Sequence, residues 1–231
     1  MILHDEELRR AAGFSVGFGW RPADATDEER HTARVACSGL NGRFADCTFA
    51  SFHAANLGQA AVRSACETFA RDFAKGQWGA PWLIGRVGTG KTHLAAAVVN
   101  HVVHERGMWA RLTTAREIVR DLRSTWGKAS AHTEEQVVND FAGYQLLVLD
   151  EVGAAFDSDA ERTQLFEIID RRYVMQLPTM LLSNLNVPAI KAALGDRSYD
   201  RLREGADIYT CTWTSHRTGG RLMAQADGEA Q

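Results

Sequence analysis

Eight consecutive residues, Gly85-Arg86-Val87-Gly88-Thr89-Gly90-Lys91-Thr92, fit G-x-x-x-x-G-K-[ST], and no other stretch limits the possible folds of this chain as tightly. The flanks agree with the motif. Ala80-Pro81-Trp82-Leu83-Ile84 reads as a short buried strand, and His93-Leu94-Ala95-Ala96-Ala97-Val98-Val99 as a helix that Gly107 ends. Glycines in such a loop let successive backbone N–H groups turn inward toward anionic oxygens, aided by the positive end of the following helix. The expected ligand is a nucleoside triphosphate with Mg²⁺. Gly85, Arg86, Val87, Gly88, Thr89, Gly90, Lys91, Thr92 and His93 form the binding stretch, with Lys91 against the β/γ-phosphates and the Thr92 hydroxyl on the metal.

A chain of 231 residues, 45% of them hydrophobic, can build one sizeable core with a small appendage. The net charge of −3 does not by itself announce nucleic acid, so local charge matters more. Cys37, Cys47, Cys66 and Cys211 form no CxxC pair and no metal-spaced cluster, which points to reduced thiols and away from zinc. No apolar run reaches membrane-spanning length, and Met1-Ile2-Leu3-His4-Asp5-Glu6-Glu7 lacks the pattern of a signal peptide. The expected compartment is the cytoplasm.

Residues 1–46 read differently from the rest. A short helix is expected over Asp5 to Ala12. It is broken by Gly13-Phe14-Ser15-Val16-Gly17-Phe18-Gly19-Trp20, whose aromatics form either a patch for a partner or a cluster folded back on the core. Thr26-Asp27-Glu28-Glu29 starts a second helix, and Gly39, Asn41 and Gly42 mark a linker. A core-covering helix runs from Asn56 to Lys75, after Phe52. Beyond the glycine loop, strands at Met108 to Thr113, Gln145 to Leu149, Pro178 to Ser183 and Ile208 to Thr212 alternate with helices. Those helices are expected at Thr114 to Thr125, Thr133 to Phe141, Asp159 to Met175, Val187 to Leu194 and Asp196 to Arg203. Such alternation predicts an α/β protein with a mainly parallel sheet between helices.

Further chemical signals sit at strand ends and on two helices. Leu146-Leu147-Val148-Leu149-Asp150-Glu151 is an apolar strand ending in two carboxylates, Asp150 suited to ligate Mg²⁺ and Glu151 to prepare water. Asn184, after Met180-Leu181-Leu182-Ser183, either caps the helix of Pro188 or reaches the γ-phosphate. Arg197 and Arg201 share a helix face and suit a phosphate on a neighbouring subunit, unless Asp196, Asp200 and Glu204 neutralise them. Between Arg106 and Lys128, six basic residues face two acidic ones, and Arg116, Arg120 and Arg123 form one stripe with Trp126 beyond it. This is either a single-stranded DNA surface or a solvated face with Trp126 anchored to the core.

The order GxxGTGKTHLAAA, LLVLDEVG, LLSN, LGDRSYDRLREG and Trp213-Thr214-Ser215-His216-Arg217 resembles the bacterial replicative helicase loaders of the DnaC type, within the AAA+ ATPases. The resemblance runs from about Cys47 to Arg217 and includes Thr133-Glu134-Glu135-Gln136 and Asp170-Arg171-Arg172. Transposition helper ATPases of the IstB type share much of this core. The resemblance implies an AAA+ P-loop core with a five-stranded parallel sheet of order 5-1-4-3-2 and no substantial lid. It also implies a nucleotide site between subunits of a helical or ring-like oligomer. Lys91 and Thr92 become the Walker A residues, Asp150 and Glu151 the Walker B pair, Asn184 sensor 1, and Arg201 the arginine finger, with Arg197 one turn earlier. The implied organisation is a partner-binding segment over 1–46, an ATPase domain over 47–217 and a tail over 218–231. Implied partners are a DnaB-type hexameric helicase and single-stranded DNA. Two rival functions are a transposase accessory ATPase acting on duplex DNA and an ATP-switch adaptor without turnover. Two departures stand out. Val87 replaces the family's usual proline, which leaves the phosphate-binding backbone intact, and the front segment is shorter and more glycine-broken than a loader's helical helicase-gripping region.

Overall fold

The computed structural model describes residues 26–74, 77–126, 132–153 and 159–216. The expected Asp5 to Ala12 helix, the aromatic-glycine stretch after it, Lys128, Arg217 and the 218–231 tail lie outside these residues. In chain order the helices are α1 (Asp27–Cys37), α2 (Leu57–Arg71), α3 (Lys91–His104), α4 (Ala115–Ser124), α5 (Glu134–Gly143), α6 (Asp159–Val174), α7 (Val187–Leu194) and α8 (Asp196–Arg203). The strands are β1 (Trp82–Gly85), β2 (Ala110–Thr114), β3 (Leu146–Asp150), β4 (Thr179–Ser183) and β5 (Ile208–Cys211).

All four strand pairings are parallel, and the order β2-β3-β4-β1-β5 is the expected 5-1-4-3-2 read from the other edge. The central strands are apolar on both faces because helices cover both. Alternation then sorts their side chains. Leu83, Leu146, Val148, Met180 and Leu182 pack with α2 and α3, while Trp82, Ile84, Leu147, Leu149 and Leu181 pack with α4, α5, α6 and α7. Helix α3 carries buried residues on every side, from Leu94 to Val103, because it lies between the sheet and α2.

Local signals set the helix starts. Thr26 with Glu29, Asn56 with Gln59, Thr114 with Glu117 and Thr133 with Gln136 each form a reciprocal capping box. Helix α2 ends at Arg71, short of the expected Lys75, with Asp72 as its C-cap. Strand β3 runs one residue further than expected, so Asp150 is its last residue and pairs in register with Thr114.

The stretch around Gly39, Asn41 and Gly42 is docked on the core. Leu112 donates its N–H to the Ser38 carbonyl at 2.8 Å, and Arg111 and Tyr144 donate to the Cys37 carbonyl at 3.1 and 3.3 Å. These bonds tie α1 beside the edge strand β2.

On the opposite layer the tie is Arg172, of which 1% is exposed. Its guanidinium donates to Thr179 Oγ1 at 2.9 Å and to the carbonyls of Phe141, Ala142, Tyr144 and Pro178 at 3.4, 3.1, 2.6 and 2.6 Å. One cation thus satisfies the C-terminal carbonyls of α5 and fastens α6 to the start of β4. Burial pulls its pKa down to about 9, which leaves it protonated at neutral pH. Arg172→Leu leaves those carbonyls buried without donors and is expected to cost about 3 kcal/mol or more of unfolding free energy in urea melts. A loss below about 1 kcal/mol would show that the tie is dispensable.

Candidate nucleotide site

The carboxyl ends of β3, β4 and β1, neighbours in the sheet, open onto one cleft, the usual ligand position in open parallel sheets. Strand β1 feeds the glycine loop, which turns directly into α3. Gly90 caps that helix at φ 89°, and a Cβ there would sit 2.6 Å from the Phe52 ring. Gly88, at φ 81°, passes so close to Ser215 that a Cβ would meet its Oγ at 2.0 Å. Both positions need glycine for conformation and for space.

Lys91 opens α3 with its ammonium drawn inward, 7% exposed. Its Nζ donates to the carbonyls of Gly85 at 2.7 Å and Arg86 at 2.9 Å, and to Asn184 Oδ1 at 2.8 Å. Burial lowers its pKa, and nearby Cys211 and Asp150 oppose that shift. The cap of α7 is Asn186, whose side chain accepts from Ala189 N at 3.0 Å, so Asn184 is left to face Lys91. Thr92 Oγ1 donates to Asp150 Oδ2 at 2.8 Å, and Asp150 Oδ1 accepts the Glu151 N–H at 2.7 Å. Glu151 stands at φ 56° with an exposed side chain at the cleft mouth, a strained backbone of the kind found at functional sites. A ring nitrogen of His93, Nε2, lies 3.0 Å from Ser51 Oγ and 3.1 Å from the Thr48 carbonyl, holding the front of the domain to α3.

The cleft encloses roughly 450 Å³, within the range of small-molecule and cofactor pockets. Its donors fit a nucleoside triphosphate with Mg²⁺. The Lys91 ammonium rests on oxygens that phosphate can replace, and the Thr92 hydroxyl and Asp150 carboxylate, already in contact, are the hard oxygen ligands that Mg²⁺ takes.

Arg86, whose carbonyl accepts from Lys91, also lines a flanking pocket with Val87, Asn184, Thr214 and Ser215. Residues singled out on α4 and α8 lie away from the cleft. Arg201 does not line the cleft. Its guanidinium pairs with Asp170 of α6 and stacks on Phe166 and Tyr173, so its neutralising partner is not among the acids of its own helix. Asp196 pairs with Lys191 at 3.2 Å, and Arg197 is exposed. Arg116, Arg120 and Arg123 are exposed along α4, whose Ile118, Val119 and Leu122 are buried. Trp126 is 58% exposed and is not anchored in the core.

Residues 51–218 match the model of the IstB-like ATP binding proteins. The chain belongs to this family. It is 32% identical to the replicative helicase loader DnaC of Escherichia coli (strain K12) over 182 residues, 78% of this chain and 73% of that protein. The same identity and coverage hold for the replicative helicase loader DnaC of Buchnera aphidicola subsp. Baizongia pistaciae (strain Bp). A crystal structure of the DnaC helicase loader superposes with a TM-score of 0.66 at 19% identity, covering 74% of this chain and 99% of that one. The fold is therefore the AAA+ P-loop core.

For an IstB-like ATP-binding protein, the sequence motifs mark the glycine-loop end of the cleft but miss its walls. Phe52 reads from the sequence only as part of the sheet covering, yet it closes over Gly90. Trp213 donates its indole N–H to the Thr89 carbonyl at 2.9 Å, and the His216 backbone N–H donates to the Gly88 carbonyl at the same distance. Their signal in the sequence is the W-x-S-x-R ending, which carries no chemistry until β5 places it behind the loop.

Lys91→Ala is expected to weaken ATP binding at least about 10-fold in a fluorescent-nucleotide titration, because the triphosphate loses its buried counter-charge. Glu151→Gln is expected to keep parental affinity and lose most turnover, since Asp150 and Thr92 remain. Parental affinity in the first variant, or a parental rate in the second, contradicts the role given to that residue.

Proposed function

We propose that this chain is an ATP-hydrolysing loader that binds single-stranded DNA and delivers a DnaB-type hexameric replicative helicase during DNA replication. The observation that carries this reading is the meeting of Lys91, Thr92, Asp150 and Asn184 in one cleft, in a chain whose relatives are named replicative helicase loaders. Lys91 and the loop N–H groups bind the triphosphate, and Thr92 and Asp150 hold Mg²⁺. When bound, Mg²⁺ neutralises charge on the phosphates. Glu151 accepts a proton from the attacking water, and Asn184, released from Lys91, orients the γ-phosphate or that water. His93 braces the front wall of the cleft.

Turnover needs a second subunit in this reading. Arg201 reaches the nucleotide of a neighbour in a helical or ring-like oligomer, with Arg197 one turn earlier as the alternative finger. Their absence from this chain's own cleft lining supports action in trans. The segment over 1–46 contacts the helicase partner, with α1 as its base on the core, the ATPase domain spans 47–217, and a tail follows. The place of action is the cytoplasm. Among the described residues no helix is long and apolar enough to cross a membrane.

The exposed arginine stripe of α4 with exposed Trp126 supports the DNA role, since backbone-tracking charge plus a stacking ring holds single strands without sequence preference. The family's IstB-like description keeps one rival in play, an accessory ATPase of transposition acting on duplex DNA. Replacing Arg120 and Arg123 with Ala is expected to weaken oligonucleotide binding and to flatten its salt dependence by about 0.7 log unit for each phosphate no longer neutralised. A parental salt slope returns the stripe to solvent, and a preference for duplex favours the rival.

Mixing variants tests the shared site. Lys91→Ala subunits keep Arg201 but lack a working cleft, and Arg201→Ala subunits keep the cleft but lack the finger. Each alone is expected to lose on the order of 10³-fold in ATPase rate, and the mixture to recover part of it. No recovery from co-assembling variants assigns Arg201 to its own subunit's chemistry or moves the finger to Arg197, and an Arg197→Ala mixture separates these.

A further inference from the structure

The Arg201 guanidinium lies in a holder built by one face of α6. Phe166, Asp170 and Tyr173 stand at i, i+4 and i+7, a single stripe of that helix. The guanidinium carbon is 4.8 Å from the Phe166 ring centre and 5.5 Å from that of Tyr173, and Nη1 pairs with Asp170. Two rings and a carboxylate thus constrain one planar cation.

The holder is itself braced. Tyr173 donates its hydroxyl to Glu204 at 2.8 Å, just past the end of the helix that carries Arg201, and its ring meets Trp78 edge-on at 5.6 Å. The residue between Asp170 and Tyr173 on the buried side is Arg172, already fastened to α5 and β4. The stripe that receives Arg201 therefore shares a turn of α6 with the ties of Arg172.

An arginine that must reach across a subunit boundary ordinarily loses rotamer freedom when it arrives, and a group held beforehand avoids that loss. The Arg201 side chain is 31% exposed and that of Asp170 37%, so their pairing is partly screened and exchanges readily for a more highly charged phosphate. Its consequence is direction more than stability. Resting on the reading of Arg201 as a finger in trans, we propose that Asp170, flanked by Phe166 and Tyr173, is a positioning residue that presents Arg201 to a neighbouring subunit's nucleotide.

The experiment uses the full chain with Mg-ATP and a single-stranded oligonucleotide. Asp170→Asn is expected to lower kcat roughly 10- to 100-fold, the scale of a misplaced catalytic group, with KM for ATP and fluorescent-nucleotide affinity unchanged. Asp170→Glu is expected to restore most of the rate. Adding Lys91→Ala subunits, whose Arg201 and Asp170 are intact, is expected to rescue Asp170→Asn, because its sound clefts then meet a held finger. A merely structural fault would lower nucleotide affinity and would resist this rescue. A parental kcat for Asp170→Asn beside a crippled Arg201→Ala overturns the holder and spares the finger. Hydrolysis faster than the parent overturns it by making Asp170 a restraint, and failed rescue overturns it as well. A parental rate for Arg201→Ala removes the finger and this inference together.

Discussion

The buried ammonium of Lys91 is the interaction on which the site depends. A cation so enclosed is costly unless its protons are accepted, and three oxygens accept them: two carbonyls at the end of β1 and the amide oxygen after β4. Those acceptors exist only where parallel strands end side by side, so the charge and the sheet order specify each other. The contact of Thr92 with Asp150 adds the end of β3 to the same point. The glycine loop, the Thr92–Asp150 pair and a strand-end amide then require no separate scaffolds.

Arg172 performs the corresponding task on the other face of the sheet. Where Lys91 gathers strand ends, Arg172 gathers the end of α5 and the start of β4 onto α6. Helix α6 also carries the stripe that receives Arg201, and α8 packs against it. The buried cation Arg172 and the carboxylate that pairs with Arg201 of α8 therefore share one helix, with Arg172 on its inner face and Asp170 on its outer one. Distortion of that turn would reach both the ties of Arg172 and the pairing of Arg201 with Asp170.

Much of this is legible in the amino-acid sequence. The glycine loop, the Asp150-Glu151 strand end and the alternation of strands and helices depend on short-range chemistry: φ angles open to glycine, capping boxes, and apolar runs that suit a doubly covered sheet. The same holds for the bounds of α7 and α8, where Gly195 and a proline near the N-terminus punctuate the chain. Ambiguity collects where local signals tie. Asn184 and Asn186 are equally good caps by composition, and only the approach of Lys91 from α3 separates them. Trp126 sits nearer the apolar side of α4 by ideal helical angles, yet the chain turns after Ser124 and leaves it exposed.

The fold class, the glycine-loop end of the cleft and the two carboxylates follow from the order of residues alone, because each is written in neighbours whose spacing matches a helical or strand period. Folding of the whole chain settles the rest: which residues wall the cleft, how Gly39 comes to lie against β2, and which carboxylate faces Arg201. Those outcomes join positions far apart in the chain, Trp213 with Thr89 and Arg201 with Asp170, and no local period relates them. Their pairing is set by strand order and helix packing, through which many small burial terms act together, and so it becomes readable only when the whole core is assembled.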